Sequence, residues 1–271
     1  MFRRLGLEPE LEVLGRQALA YGTQPRTGAE LRDHMPALAG GVGPAGQTDS
    51  WWAVRPILPF IMAPGDERWA FGRRPRFVAA AAWLDEELAR PEEGLDHFVR
   101  RYLVGFGPAG VDDLHRFSHI PITTIRAALG ELAGEVVQYR DERGRILYDL
   151  ADGALPEPDL PAPVRFLPMW DSLLLAYHDR SRVLPDAYRR RVIQANGDFM
   201  PTFMVDGRVA GLWRADLIDG RSRVTALPFE PLAPADADQV DGEGERLARF
   251  LDPLEPSVFS RYAKTWLKEP A

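Results

Sequence analysis

Between Leu95 and Leu150 the apolar positions change their period. Leu95, Phe98, Val99, Tyr102, Leu103 and Phe106 recur every three or four residues, which puts them on one face of a helix that Gly107-Pro108 then ends. Val111, Leu114 and Phe117 make a second, shorter stripe. Ile122, Ile125, Leu129 and Leu132 make a third, entered through Pro121 at a first-turn position. From Val137 the period falls to two: Val137 and Tyr139, then Ile146 and Tyr148, alternate with polar residues on either side of the turn Asp141-Glu142-Arg143-Gly144. Three helices followed by a hairpin predict a winged helix-turn-helix, whose third helix can enter a major groove while the hairpin reaches the backbone.

The preceding segment has the same organisation. Leu11, Leu14, Ala18 and Tyr21 form a helical stripe, and Thr27 with Glu30 is a capping-box pair opening a helix through Leu31, Met35 and Leu38. A glycine-rich loop from Ala39 to Gly46 follows. Trp51, Val54, Leu58 and Ile61 keep helical spacing, but Pro56 and Pro59 cannot sit inside a regular helix, so the helix is expected to end near Arg55. A strand from Ile57 to Met62, a turn at Pro64-Gly65-Asp66 and a return strand from Arg68 to Phe71 complete the pattern, with Arg73, Arg74 and Arg76 just beyond.

After Leu150 the proline-rich run ADGALPEPDLPAP reads as a linker. Strand signals then dominate: Val164 to Leu167, Phe199 to Val205 and Arg208 to Trp213 around Asp206-Gly207, and Ser222 to Leu227. Short helices are expected at Met169 to Tyr177 and Pro185 to Ile193, and two more at Pro234 to Leu251 and Pro256 to Lys268. The expected fold is therefore α+β: tandem winged helix-turn-helix units at 1–85 and 94–150, a linker at 151–163, and a small β-barrel with C-terminal helices at 164–271.

Charge refines this picture. The net charge of −7 argues against indiscriminate coating of nucleic acid, so any DNA contact has to come from local positive charge. Such regions exist. Trp51 to Ala80 holds five arginines against Asp66 and Glu67, and Arg165 to Arg223 holds ten arginines against seven aspartates. Acid collects in Asp85 to Asp96 and in Glu230 to Ala271. All basic residues except Lys264 and Lys268 are arginine, cysteine is absent, and no apolar run is long enough to span a bilayer. A cytoplasmic protein without membrane contact is the expectation.

Candidate chemistry follows from placement. Thr123, Thr124 and Arg126 fall in the first turns of the third helix of the later unit, where hydroxyls, free N–H groups and a guanidinium can meet phosphates or base edges, and Arg143 and Arg145 fall on its wing. In the earlier unit Arg55 lies on the third helix, and Arg68, Arg73, Arg74 and Arg76 surround the wing. Trp51-Trp52 offers aromatic faces to an extruded base, against a core role for Trp51. Asp171, Asp179, Arg180, Asn196 and Asp198 concentrate polar groups beside apolar runs, where a carboxylate could activate water or simply serve a turn or an ion pair. His115 and His119 share a helix face, but the segment lacks the base of a metallohydrolase, and no metal is expected. Nucleotide-loop, α/β-hydrolase and zincin motifs are absent.

Three strings then stand out: FVRRYLVGFGPAGVDDL from Phe98, FLPMWDSLLLAYHDRSRVLP from Phe166, and NGDFMPTFMVDGRVAGLWR from Asn196. They closely resemble the AlkZ-like winged-helix DNA glycosylase family, over nearly the whole chain. The resemblance implies tandem winged helices around a C-terminal β-barrel, double-stranded DNA as partner, intact or damaged, and no cofactor. It also implies excision of alkylated bases, or unhooking of interstrand crosslinks, by hydrolysis of the N-glycosidic bond. The family's catalytic Gln-x-Gln or Gln-x-Asp pair belongs to a winged helix ahead of the two units seen here. Gln17, Gln24, Gln47, Gln138, Gln194 and Gln239 form no such pair in a matching context, so no catalytic residue carries over. The leading expectation is a shortened DNA-binding member of the family. The alternatives are an active glycosylase with a start upstream of Met1, and a winged-helix module that binds protein.

Overall fold

The computed structural model describes residues 8–35, 50–65, 75–153, 156–157 and 159–252, and the chain divides into two compact units, 1–89 and 90–271. In the first unit the order is α1 (Glu8–Tyr21), β1 (Arg26–Thr27), α2 (Gly28–His34), α3 (Ser50–Val54), β2 (Phe60–Ala63), β3 (Arg76–Ala79) and α4 (Ala80–Leu84). The Thr27–Glu30 capping box forms as expected: Thr27 Oγ1 accepts from the Glu30 N–H at 3.2 Å, and Glu30 Oε2 accepts from the Thr27 N–H at 2.7 Å. Leu11, Leu14, Ala18, Leu31, Trp51, Val54 and Phe77 make the core. Trp51 is buried, edge-on to Phe60 at 5.1 Å, so its ring serves packing and has no free face for a base. The expected return strand Arg68–Phe71, the glycine-rich loop and the C-terminal helix Pro256–Lys268 lie outside the described residues. The strand that pairs with β2 is β3, which also takes β1 on its other side. Arg76 is thus the first residue of a strand and not a residue beyond one.

The second unit opens with α5 (Pro91–Phe106), α6 (Val111–Ser118), α7 (Ile122–Glu131) and the hairpin β4 (Val136–Arg140) and β5 (Ile146–Leu150). The apolar stripes of α5, α6 and α7 close on one core: Val99, Tyr102, Leu103, Leu114, Ile125, Leu129 and Leu132 are buried together. Ala109 bridges Tyr148 just before α6, the place that β1 takes against β3 in the first unit. Both units therefore share one order, in which a helix, an extended residue or two, two helices and a hairpin follow one another. Gly107 ends α5, and a Cβ there would collide with the Asp149 carboxylate and the Leu103 carbonyl.

No helix or strand occupies the described residues of 151–163. Beyond them come β6 (Arg165–Leu167), α8 (Ser172–Leu175), a 3₁₀ turn (Asp186–Tyr188), α9 (Arg189–Val192), β7 (Thr202–Val205), β8 (Arg208–Ile218), β9 (Arg221–Pro228) and α10 (Pro234–Leu251). The strands form one antiparallel sheet in the order β6-β7-β8-β9, and β6 and β9 remain its edges. The expected barrel is thus an open sheet. Closure is unnecessary because α10 lies against both β9 and β6, and its Val240 seals a core with Val164 and Phe203. Asp206-Gly207 and Asp219-Gly220 make the two hairpin turns, with positive φ at all four residues (48°, 71°, 51° and 75°), the geometry that matches strand twist.

A buried carboxylate joins the helical part of this unit to its sheet-bearing part. Asp113, 2% exposed, sits in the first turn of α6; its Oδ2 accepts from the Gly110 N–H at 2.8 Å and its Oδ1 from the His178 N–H at 2.8 Å. Two tyrosines reinforce the joint: Tyr102 Oη donates to the Ala176 carbonyl at 2.6 Å, and Tyr177 Oη to the Phe106 carbonyl at 3.0 Å. Burial raises the pKa of both phenols, which keeps them neutral donors. Asp113→Ala leaves the buried Gly110 N–H and the half-buried His178 N–H without their acceptor and is expected to lower the stability of the chain by about 1–3 kcal/mol, read from the urea midpoint. A loss below about 0.5 kcal/mol would show that the joint does not depend on it.

Candidate nucleic-acid interface

α7 starts without a side-chain cap, following Pro121. The N–H groups of Ile122, Thr123 and Thr124 consequently have no partner within the helix. Thr123, Thr124 and Arg126 are all exposed, while Ile125, Ala128 and Leu129 anchor the opposite face. Sequence periodicity alone produces this division, because burying one face of a short helix turns the remaining residues outward. Arg126 and Arg145 line a crevice of about 270 Å³ between α7, the start of α6 and the hairpin, together with Asp112, Ile146 and Tyr148.

The arginines of the β4–β5 hairpin have protein partners. Arg145 Nε meets Asp141 Oδ2 at 2.7 Å, and Asp141 Oδ1 accepts from the N–H groups of Arg143 (2.9 Å) and Arg145 (2.8 Å). The bond from the Arg145 side chain, then the turn's backbone N–H groups, hold the Asp141 carboxyl below the usual carboxylate range. Arg143 Nη1 reaches Asp179 Oδ2 at 2.9 Å, across to the segment after α8. On this face Arg126 alone of the three arginines is free of such an ion pair among the described residues.

In the first unit Arg55 is exposed at the end of α3, and Arg76 on β3 donates from Nη2 to the Pro25 carbonyl at 2.8 Å. Arg68, Arg73 and Arg74 lie outside the described residues, so the structure does not place that half of the expected cluster.

The polar residues of the sheet-bearing part do not converge on one cleft. Asp171 caps α8, accepting from the Leu173 N–H at 2.8 Å, and Asn196 and Asp198 close on each other in a turn, at 2.9 and 3.1 Å. Asp179 accepts from Ser181 and pairs with Arg143; the Ser181 bonds, ahead of the Arg143 and Arg145 charges, keep its carboxyl below the usual range. A carboxylate so well supplied with donors is a poor general base. Arg180 is buried, with Nε donating to the Leu174 carbonyl at 2.5 Å and the guanidinium 5.3 Å above the Phe199 ring centroid. Among the described residues no group of three or more His, Asp or Glu side chains is arranged to hold a metal; His115 Nδ1 is engaged by the Ile120 carbonyl at 2.7 Å. A second crevice, about 510 Å³, opens between the β8–β9 hairpin and α10, where Arg221 and Arg223 face Asp241 and Glu245 around an apolar floor.

The structure adds basic residues that sequence reading passed over: Arg116 on α6, and Arg189 and Arg190 on α9, all exposed. The run Arg189-Arg190-Arg191 was the available signal, but three adjacent arginines do not reveal which way each points until the helix is built.

The model of a known family, described as DNA glycosylase AlkZ-like, matches residues 5–250. The chain belongs to that family. It is 28% identical over 170 residues to an interstrand DNA cross-link repair glycosylase of Streptomyces sahachiroi, a match that takes in 60% of this chain and 44% of the relative. The chain thus spans less than half of that curated AlkZ-like protein. The solved structure of Streptomyces sahachiroi DNA glycosylase AlkZ superposes with a TM-score of 0.64 over 92% of this chain and 68% of its own, at 22% identity, which establishes a shared fold. No helix among the described residues is long and apolar enough to cross a membrane.

The turn of the β4–β5 hairpin carries a pH prediction. Because the folded pKa of Asp141 is lowered, its contribution is complete above the unfolded carboxylate value and is lost as pH falls through the folded one. An NMR titration should therefore show the Asp141 carboxyl titrating below an ordinary aspartate, with the Arg143 and Arg145 amide signals shifting in step. Titration at or above the ordinary value would refute the turn geometry.

Proposed function

We propose that this AlkZ-like chain docks on double-stranded DNA, in the cytoplasm, through tandem winged helix-turn-helix units at 1–85 and 94–150. In this reading the 151–163 linker ties them to the sheet-bearing region 164–271. The observation that carries it is the exposed first turn of α7, where Thr123, Thr124 and Arg126 stand beside three N–H groups that have no partner within the helix, and beside the β4–β5 hairpin. Family membership supports the same partner. Arg55 and the wing arginines of the first unit extend the contact, and Arg143 and Arg145 join it where a phosphate competes with Asp179 and Asp141. Each arginine that neutralises a phosphate releases condensed counterions, so such binding depends strongly on salt. Fluorescence anisotropy with a short duplex should show binding at low salt that weakens steeply as KCl rises. Arg126→Gln should lower affinity and reduce the salt slope by about one. No binding at low salt would end this reading.

The printed name of the Streptomyces relative supports a second reading, base excision from alkylated DNA. Gln-x-Asp spacing occurs at Gln47–Asp49, outside the described residues, and at Gln239–Asp241 on α10, and neither lies in a winged helix ahead of the two units, so binding without excision is the expected result for this chain. Incubating it with alkylated duplex and scoring alkali-labile abasic sites decides the matter: product formed in proportion to protein would make the chain a glycosylase.

A further inference from the structure

Asp179 faces the tip of the β4–β5 hairpin from a segment that is pinned on both sides. His178 before it gives its N–H to the buried Asp113 at 2.8 Å, and Arg180 after it is 5% exposed, with Nε donating to the Leu174 carbonyl. Asp179 Oδ1 accepts from the Ser181 N–H at 3.0 Å, which leaves Oδ2 for Arg143 Nη1 at 2.9 Å. The two partners are unequal. The Asp179 side chain is 25% exposed and that of Arg143 71%, so a positioned anion meets a guanidinium that water and other anions can reach. The pair is not what shapes the hairpin. Asp141 closes the turn, accepting from the Arg143 and Arg145 N–H groups through Oδ1 and from Arg145 Nε through Oδ2. Exposed ion pairs also add little to stability. What the pair changes is charge, because it neutralises Arg143 at the exposed tip of the hairpin.

We infer that Asp179 is an internal stand-in for a DNA phosphate, capping Arg143 in the free chain so that a backbone phosphodiester of the duplex has to displace it before the β4–β5 hairpin adds its contact. The cap rests on the duplex-binding reading and sets a threshold for it. Geometry favours the exchange, since Asp179 offers one oxygen to one Nη atom and a phosphodiester can take two N–H groups of the fork. Proximity favours it only once Thr123, Thr124 and Arg126 hold the duplex, when the next phosphates stand at high local concentration beside the hairpin. A free anion has no such help. The cap thus keeps Arg143 from scattered anions and commits it to a duplex that α7 has already engaged.

The test uses the full chain with Asp179→Asn, whose amide oxygen still accepts from the Ser181 N–H while the charge is gone; Asp179→Ser keeps a shorter acceptor and should behave alike. Asp238→Asn, exposed on α10, removes one negative charge elsewhere and serves as control. In anisotropy at about 50 mM KCl, Asp179→Asn should bind duplex about two- to fivefold more tightly than the parent, beyond any gain in the control, which is the worth of an exposed pair. In an Arg143→Gln chain the same substitution should give no more than the control does. Affinity that is unchanged or weaker, or a gain of equal size with and without Arg143, overturns the cap while leaving duplex binding intact. If the parent binds no duplex at low salt, the duplex reading fails and a second arm decides the cap. Inorganic phosphate, compared with chloride at equal ionic strength, should shift the Arg143 Nε–H signal in NMR at about two- to fivefold lower concentration in Asp179→Asn than in the parent; equal concentrations, or no shift in either, overturn it.

Discussion

The second unit depends on one buried carboxylate. Asp113 ends an orphaned backbone group at the start of α6 and, with its other oxygen, holds the His178 N–H contributed from 65 residues further along the chain. A charged acceptor with two donors in a low-dielectric setting is a strong and directional tie. It fixes where the helical part meets the segment after α8, and thereby where Asp179, Arg180 and Arg182 point. Tyr102 and Tyr177 close the same joint from either side, each donating to a carbonyl of the other part.

That joint sorts the arginines. Those within reach of a carboxylate are engaged: Arg143 with Asp179, Arg145 with Asp141, Arg100 with Glu135. Such exposed pairs add little to stability, but they hold guanidiniums in place until a better anion arrives. Among the described residues Arg126, Arg116 and Arg189 form no ion pair, and Arg180 is enclosed. For an acidic protein, this uneven distribution matters more than the total: phosphate recognition depends on local surplus, and the surplus lies where the acid is already bound.

Much of the fold was legible beforehand because the signals are local. Period in α1, α5, α6, α7 and α10, the Thr27–Glu30 capping box, Gly107-Pro108 and Asp206-Gly207 each act through residues a few positions apart, and each element formed where its pattern lay. Expectation and structure part company where partners are distant. Two-residue β1 carries no period to detect, and it exists only because β3 offers an edge. The helices expected at 169–177 and 185–193 shrank to α8 and to a 3₁₀ turn with α9, since packing around Leu174, Leu184 and Val192 takes precedence over propensity. Strand content suggested a barrel, yet whether a sheet closes depends on what else covers its face, and α10 does so here.

The candidate site divides along the same line. Sequence by itself determined that Thr123, Thr124 and Arg126 face outward at a helix start, because the buried stripe of α7 leaves them no other side. It also determined family membership, through strings long enough to be specific. Only the tertiary structure decided that the hairpin arginines Arg143 and Arg145 carry carboxylate partners, that Asp171, Asn196 and Asp198 serve turns and caps, and that Arg180 is enclosed. Charge pairing is a matter of distance in space, and no local pattern records which of several arginines a folded chain brings to a carboxylate and which it leaves free.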